Sequence, residues 1–191
     1  INKWKGCQYA SLGDSVTYRN HWQQIVDFHL GTTHKNLACS GMSVGGYAFH
    51  YTTGGSEDGS QIGNAVADRL LNADDFADCQ FIIICGYANN WAGDGSELGT
   101  MNDEFIKISE DSIASFPSVN DYRRSITGQT FIAACRSTVD YIQRIAPYAR
   151  IILCAQLLMD SSYNEEWDAN NINLHRKNGK GLDSTTYSEA M

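Results

Sequence analysis

Apolar positions fall along the chain in short, evenly spread runs, and the period of each run predicts an element. Residues 8–12 read as a short strand that ends in a glycine. Residues 22–30 carry Trp22, Ile25, Val26 and Leu30 at helical spacing, and Gly31 stops them. Residues 36–39 predict a second short strand, and 61–71 a helix with Ile62, Val66, Leu70 and Leu71 on one side. Residues 81–85 form a β-branched run without a polar residue, as expected of a strand buried on both faces. A long helical pattern over 130–145 places Ile132, Cys135, Val139, Ile142 and Ile145 on one stripe, and Pro147 follows it. Residues 150–153 predict another buried strand, and 184–191 the first turns of a helix with Ser184 as N-cap. The order is βαβαβ, a long loop, αβ and a last helix. Such alternation predicts an α/β fold with a parallel sheet and helices on both faces, a three-layer α/β/α sandwich built from right-handed crossovers.

Two connections, 40–60 and 88–128, are long for a compact α/β domain. Both follow strands, so both belong at the carboxyl ends of the sheet, where open α/β folds bind ligands. At 191 residues the chain reads as one domain. Its 14 basic and 22 acidic side chains give a net charge of −8, which argues against nucleic acid as a partner. Twelve acidic residues lie between Glu57 and Asp111 against Arg69 and Lys107, which reads as a solvated acidic face. The longest apolar runs, 81–85 and 151–159, are far short of the ~20 residues of a membrane helix, and no signal peptide opens the chain. The six cysteines show no C-x-x-C pair and no zinc spacing, so they read as small hydrophobes in a reduced compartment, with disulfides left open.

The first strand runs into Gly13-Asp14-Ser15. A serine just past a strand, on a glycine-containing turn before a helix, exposes its hydroxyl, and the nearby N–H groups suit a developing oxyanion. Alone, Asp14 and Ser15 would pass for an ordinary N-cap. Two more blocks follow in order, each after a strand: Leu37-Ala38-Cys39-Ser40-Gly41-Met42-Ser43, and Gly86-Tyr87-Ala88-Asn89-Asn90-Trp91. With these three blocks the sequence resembles the SGNH hydrolases, the GDSL esterase/lipase family. Leu98-Gly99-Thr100 is also similar to a stretch in phage and gut-bacterial members.

The resemblance implies a flavodoxin-like parallel sheet and a serine esterase that deacylates carbohydrate or other small esters, with no cofactor and no metal. Ser15 would be the nucleophile. The backbone N–H groups of Ser15 and Gly41 and the Asn89 amide would hold the oxyanion, with Asn90 as the alternative donor and Asp14 organising the turn. Aromatic residues of the long loop (Trp91, Phe105, Phe116 and Tyr122) would wall a cleft for a glycan or small-molecule ester, or else pack as a satellite core. Asn90 stands where the family commonly has Asp, and no Asp-x-x-His block, the source of the family's base, occurs in the sequence.

Of the five histidines, His21 and His29 belong to the first helix, and His34 to the opposite end of the sheet. His50 and His175 follow strands at the correct end. Two explanations remain. The chain stops before the base and the last strand, or the domain has become a binding or structural module of a larger phage-tail or cell-surface protein. A flavodoxin-like binding protein, reading 13–17 as a phosphate loop, is a third option.

Overall fold

The computed structural model describes residues 2–52, 65–86, 88–91 and 96–154. Strand β1 (Gln8–Gly13) leads into a one-turn helix α1 (Ser15–Tyr18), and Asn20, in the left-handed region at φ 61°, turns the chain into α2 (His21–Leu30). Gly31 ends α2 at φ 66°, where its N–H bonds to the Asp27 carbonyl. Strands β2 (Thr33–Asn36), β5 (Cys79–Cys85) and β6 (Arg150–Cys154) complete a four-stranded parallel sheet in the order β2-β1-β5-β6. Between β2 and β5 lie a 3-10 turn (Val44–Ala48), a short antiparallel pair β3 (Phe49–Tyr51) and β4 (Ala67–Leu70), and a second 3-10 turn (Ala73–Phe76). After β5 come α3 (Ala88–Trp91), α4 (Glu110–Ile113), α5 (Val119–Thr127) and α6 (Phe131–Ile145). A parallel sheet with helices is therefore observed, as the alternation predicts.

Alternation along the strands sorts side chains onto two faces. On one, Ala10, Leu12, Ile82 and Ile84 pack with Phe131, Ala134 and Ile142 of α6, and with Tyr47 and Phe49. On the other, Tyr9 stacks on Phe81 with ring centroids 5.0 Å apart, and Trp22 and Val26 of α2 lie over them.

Several expectations change. The helix expected over 61–71 is contradicted where the chain is described: Ala67–Leu70 is a strand, with Ala67 and Leu70 buried and Asp68 outward. Apolar runs this short fit either period, and pairing with β3 decides. Residues 61–64 lie outside the described residues. The second strand ends at Asn36 rather than beginning there, although Leu37 N–H and Cys39 N–H still bond to the Ser11 and Gly13 carbonyls at 3.0 and 3.1 Å. Ile25 is 60% exposed, so it does not belong to the buried stripe of α2. Among the described residues β6 is an edge strand, with Ile152 and Leu153 partly open rather than buried on both faces. The connection 88–128 holds three helices, because Ser109 and Ser118 each cap a helix by accepting from an N–H three residues on. The helix expected over 184–191 lies outside the described residues.

Candidate active site

Gly13 pairs with Cys85 at the carboxyl ends of β1 and β5. A Cβ on Gly13 would sit 2.4 Å from both the Cys85 carbonyl and the Thr17 hydroxyl, so only glycine lets the chain turn here. Asp14 is the N-cap of α1, and its Oδ1 accepts from Val16 N–H at 3.0 Å. Its carboxylate is 1% exposed and lies against Gly86, where a Cβ would come within 2.8 Å of Oδ2; Gly86 has φ 101°. Asp14 thus organises the turn, as expected, and leaves Ser15 partly exposed in the first turn of α1.

The second block meets the first through Cys39 N–H and the Gly13 carbonyl. Gly41 follows two residues later at φ 81°, a left-handed conformation that favours glycine. The third block is stitched to the second by two adjacent asparagines. Asn89 Nδ2 donates to the Met42 carbonyl at 2.8 Å, and Asn90 Oδ1 accepts from Val44 N–H at 2.8 Å. Below them the buried Tyr47 hydroxyl donates to the Gly86 carbonyl at 3.1 Å. Burial, reinforced by the nearby Asp14 charge, pushes the Tyr47 phenol well above its ordinary value, so it stays a neutral donor.

The structure therefore brings all three blocks to one end of the sheet. Among the described residues, no hydrogen bond is made by Gly41 N–H, and Asn89 spends one amide proton of two. Ser15 N–H, in the first turn of a helix, has no intrahelical partner. Asn90 likewise donates once from Nδ2, to Ser96 Oγ at 3.3 Å, but it differs in burial: it is 1% exposed, whereas Asn89 is half-buried. Of the two candidate donors, Asn89 is the one whose amide reaches the surface.

Two of the histidines are each paired with a carboxylate. His34 Nδ1 pairs with Asp27 at 2.5 Å, beside the Tyr9 ring near the amino end of the sheet. His50, expected at the carboxyl end, sits on β3 and pairs with Asp68 at 2.9 Å. Its neighbours Arg69 and Asp75 belong to the segment that feeds the amino end of β5. His175 lies outside the described residues.

Three of the loop aromatics have partners within the fold. Tyr122 is buried against Phe49 and Phe116, its hydroxyl accepting from Ser109 N–H, and Phe105 lies under the Arg136 guanidinium. Tyr122 and Phe116 thus join the main core rather than a satellite one; the Trp91 side chain lies outside the described residues. Leu98-Gly99-Thr100 anchors the start of α6, with Thr100 N–H and Thr130 Oγ1 both donating to Asp103. Among the described residues no group of three metal-ligating side chains occurs, no disulfide forms, and no helix is long and apolar enough to cross a membrane. Burial pushes the Cys85 thiol up to about 11 and the Cys135 thiol up to about 12. The chain matches no protein-family model and no curated protein.

Proposed function

We propose that the chain is a serine ester hydrolase of the SGNH type, deacylating carbohydrate or other small esters through an acyl-serine intermediate. In this reading the parallel sheet belongs to the flavodoxin-like three-layer sandwich of that family. One observation carries it: three separated blocks meet at the carboxyl ends of β1, β2 and β5 with a partly exposed serine, and among the described residues the N–H groups of Ser15 and Gly41 and one Asn89 amide proton have no partner.

Ser15 Oγ attacks the ester carbonyl carbon while its proton passes to a base. The carbonyl oxygen becomes an oxyanion facing the N–H groups of Ser15, Gly41 and Asn89. Neutral, fixed donors suit this task, since loss of one typically costs about 10²–10³ in rate. Collapse expels the alcohol with a proton and leaves acyl-Ser15, and water then releases the acid and restores the hydroxyl. The base in this reading is His175, which lies outside the described residues.

The experiment is modification by a fluorophosphonate probe, mapped by peptide mass, alongside turnover of p-nitrophenyl acetate. Labelling at Ser15 that vanishes in Ser15→Ala is expected, and labelling that survives Ser15→Ala overturns the mechanism. An unreactive Ser15 favours the binding or structural module instead.

A further inference from the structure

Beneath α1 lies a set of buried polar side chains that the hydrolase reading does not use. Gln23 is fully buried, and its Nε2 donates to the Thr17 carbonyl at 2.7 Å and to Ser11 Oγ at 3.2 Å. Asn36, in register with Ser11 across β2 and β1, donates from Nδ2 to the Thr17 and Tyr18 carbonyls, each at 3.1 Å. Its Oδ1 accepts from Ala38 N–H at 3.1 Å and from Ser11 Oγ at 3.4 Å.

A single turn of helix has no stability of its own, and its last carbonyls have no helical partners. Here the Asp14 side chain closes the front of α1, while two amides and Asn20 N–H gather the carbonyls at its back. Asn36 does more than close a helix. One end of its carboxamide holds α1, which carries Ser15; the other holds Ala38, three residues before Gly41. The two ends of one rigid amide plane therefore tie the nucleophile's turn to the loop that bears an oxyanion donor. Gln23 Nε2 is satisfied, whereas its buried Oε1 has no hydrogen-bond partner among the described residues.

We propose that Asn36, backed by Gln23, is a positioning residue that couples the Ser15 turn to the Gly41 loop. The inference rests on the hydrolase reading for its catalytic consequence, but the coupling itself does not.

Asn36→Asp keeps size and the acceptor for Ala38 while replacing the donor to α1 by a carboxylate; Gln23→Met serves where that variant fails to fold. Two readouts are taken. The first is amide hydrogen exchange over 15–18 and 38–42. The second is the rate of fluorophosphonate modification of Ser15, with kcat and KM for p-nitrophenyl acetate and the thermal midpoint of each variant.

Faster exchange in both segments is expected, with modification slowed about 100-fold and KM within about twofold, because misplacing reacting groups by about an ångström costs that much. Exchange that rises in 15–18 alone overturns the coupling. A modification rate within about threefold of the parent, with a lowered midpoint, makes the amides merely structural and overturns the positioning role. If the parent protein itself does not react, the hydrolase reading fails, and the exchange data still decide the coupling.

Discussion

The two faces of the sheet are built from different materials. On the α6 side, Leu12, Ile82, Ile84, Phe131 and Ile142 are all fully buried in one continuous apolar cluster. On the α2 side the buried apolar residues are Tyr9, Phe81 and Ile83, and polar groups fill the rest: Ser11, Gln23 and Asn36, with His34 on Asp27 nearby. Apolar packing is non-directional and supplies stability in proportion to area. Hydrogen-bonded amides add little net stability, but they fix direction. The first face thus holds the domain together, and the second aims the turn at its edge.

Neighbouring residues of β5 offer the sharpest way to break this contrast. Ile84→Ala, on the first face, is expected to cost toward the upper end of about 2–5 kcal/mol in urea unfolding. Ile83→Ala, 8% exposed on the second, should fall at the lower end. Equal losses would erase the distinction between the faces.

Gly86→Ala comes next. The new methyl would press on the Asp14 carboxylate from a left-handed backbone, at about 1–3 kcal/mol. It should also slow fluorophosphonate labelling of Ser15, which the isoleucine variants should leave intact wherever they remain folded.

The Arg69–Asp75 pair tests polar contribution at the rim of the apolar side. Burial works to raise the Asp75 carboxyl, but the Arg69 guanidinium and Asn72 N–H prevail and hold it below its usual value. A native value below the unfolded one, near about 3.9, means stability present above that pH and lost as pH falls through the native value. Asp75→Asn should therefore lower the urea midpoint at pH 6 and change it little at pH 2. The smallest effect is expected for Phe28→Gln on α2, within about 0.5 kcal/mol by thermal unfolding, since Phe28 is 83% exposed.

Much of the frame was legible in advance. The polar-free run around Ile82–Ile84 and the helical spacing through Ile142 are each long or pure enough to name one element, and both elements form. The buried face of α6, however, runs through Phe131, Ala134, Thr138 and Tyr141, with Ile132, Cys135, Val139 and Ile145 only partly buried. The Gly-Asp-Ser turn was legible too, because a glycine between a strand and a capping aspartate leaves few conformations. Illegible were the choices that depend on what lies across the fold. Ala67–Leu70 became a strand because Phe49–Tyr51 offered it backbone partners. His50 pairs with Asp68 because β3 lies beside β4. Gln23 and Asn36 gave no signal at all, since a polar residue on a helix or strand reads as a surface position until a carbonyl is found facing it.

Adjacent asparagines mark the boundary most clearly. The sequence by itself determined that amide donors follow β5, because the residues that carry the resemblance are local. Only the tertiary structure decided that Asn90 is buried between Val44 and Ser96 while Asn89, bonded to the Met42 carbonyl, stays half-exposed. A side chain's partner is set by which backbone the packed core brings opposite it, and no local pattern encodes that.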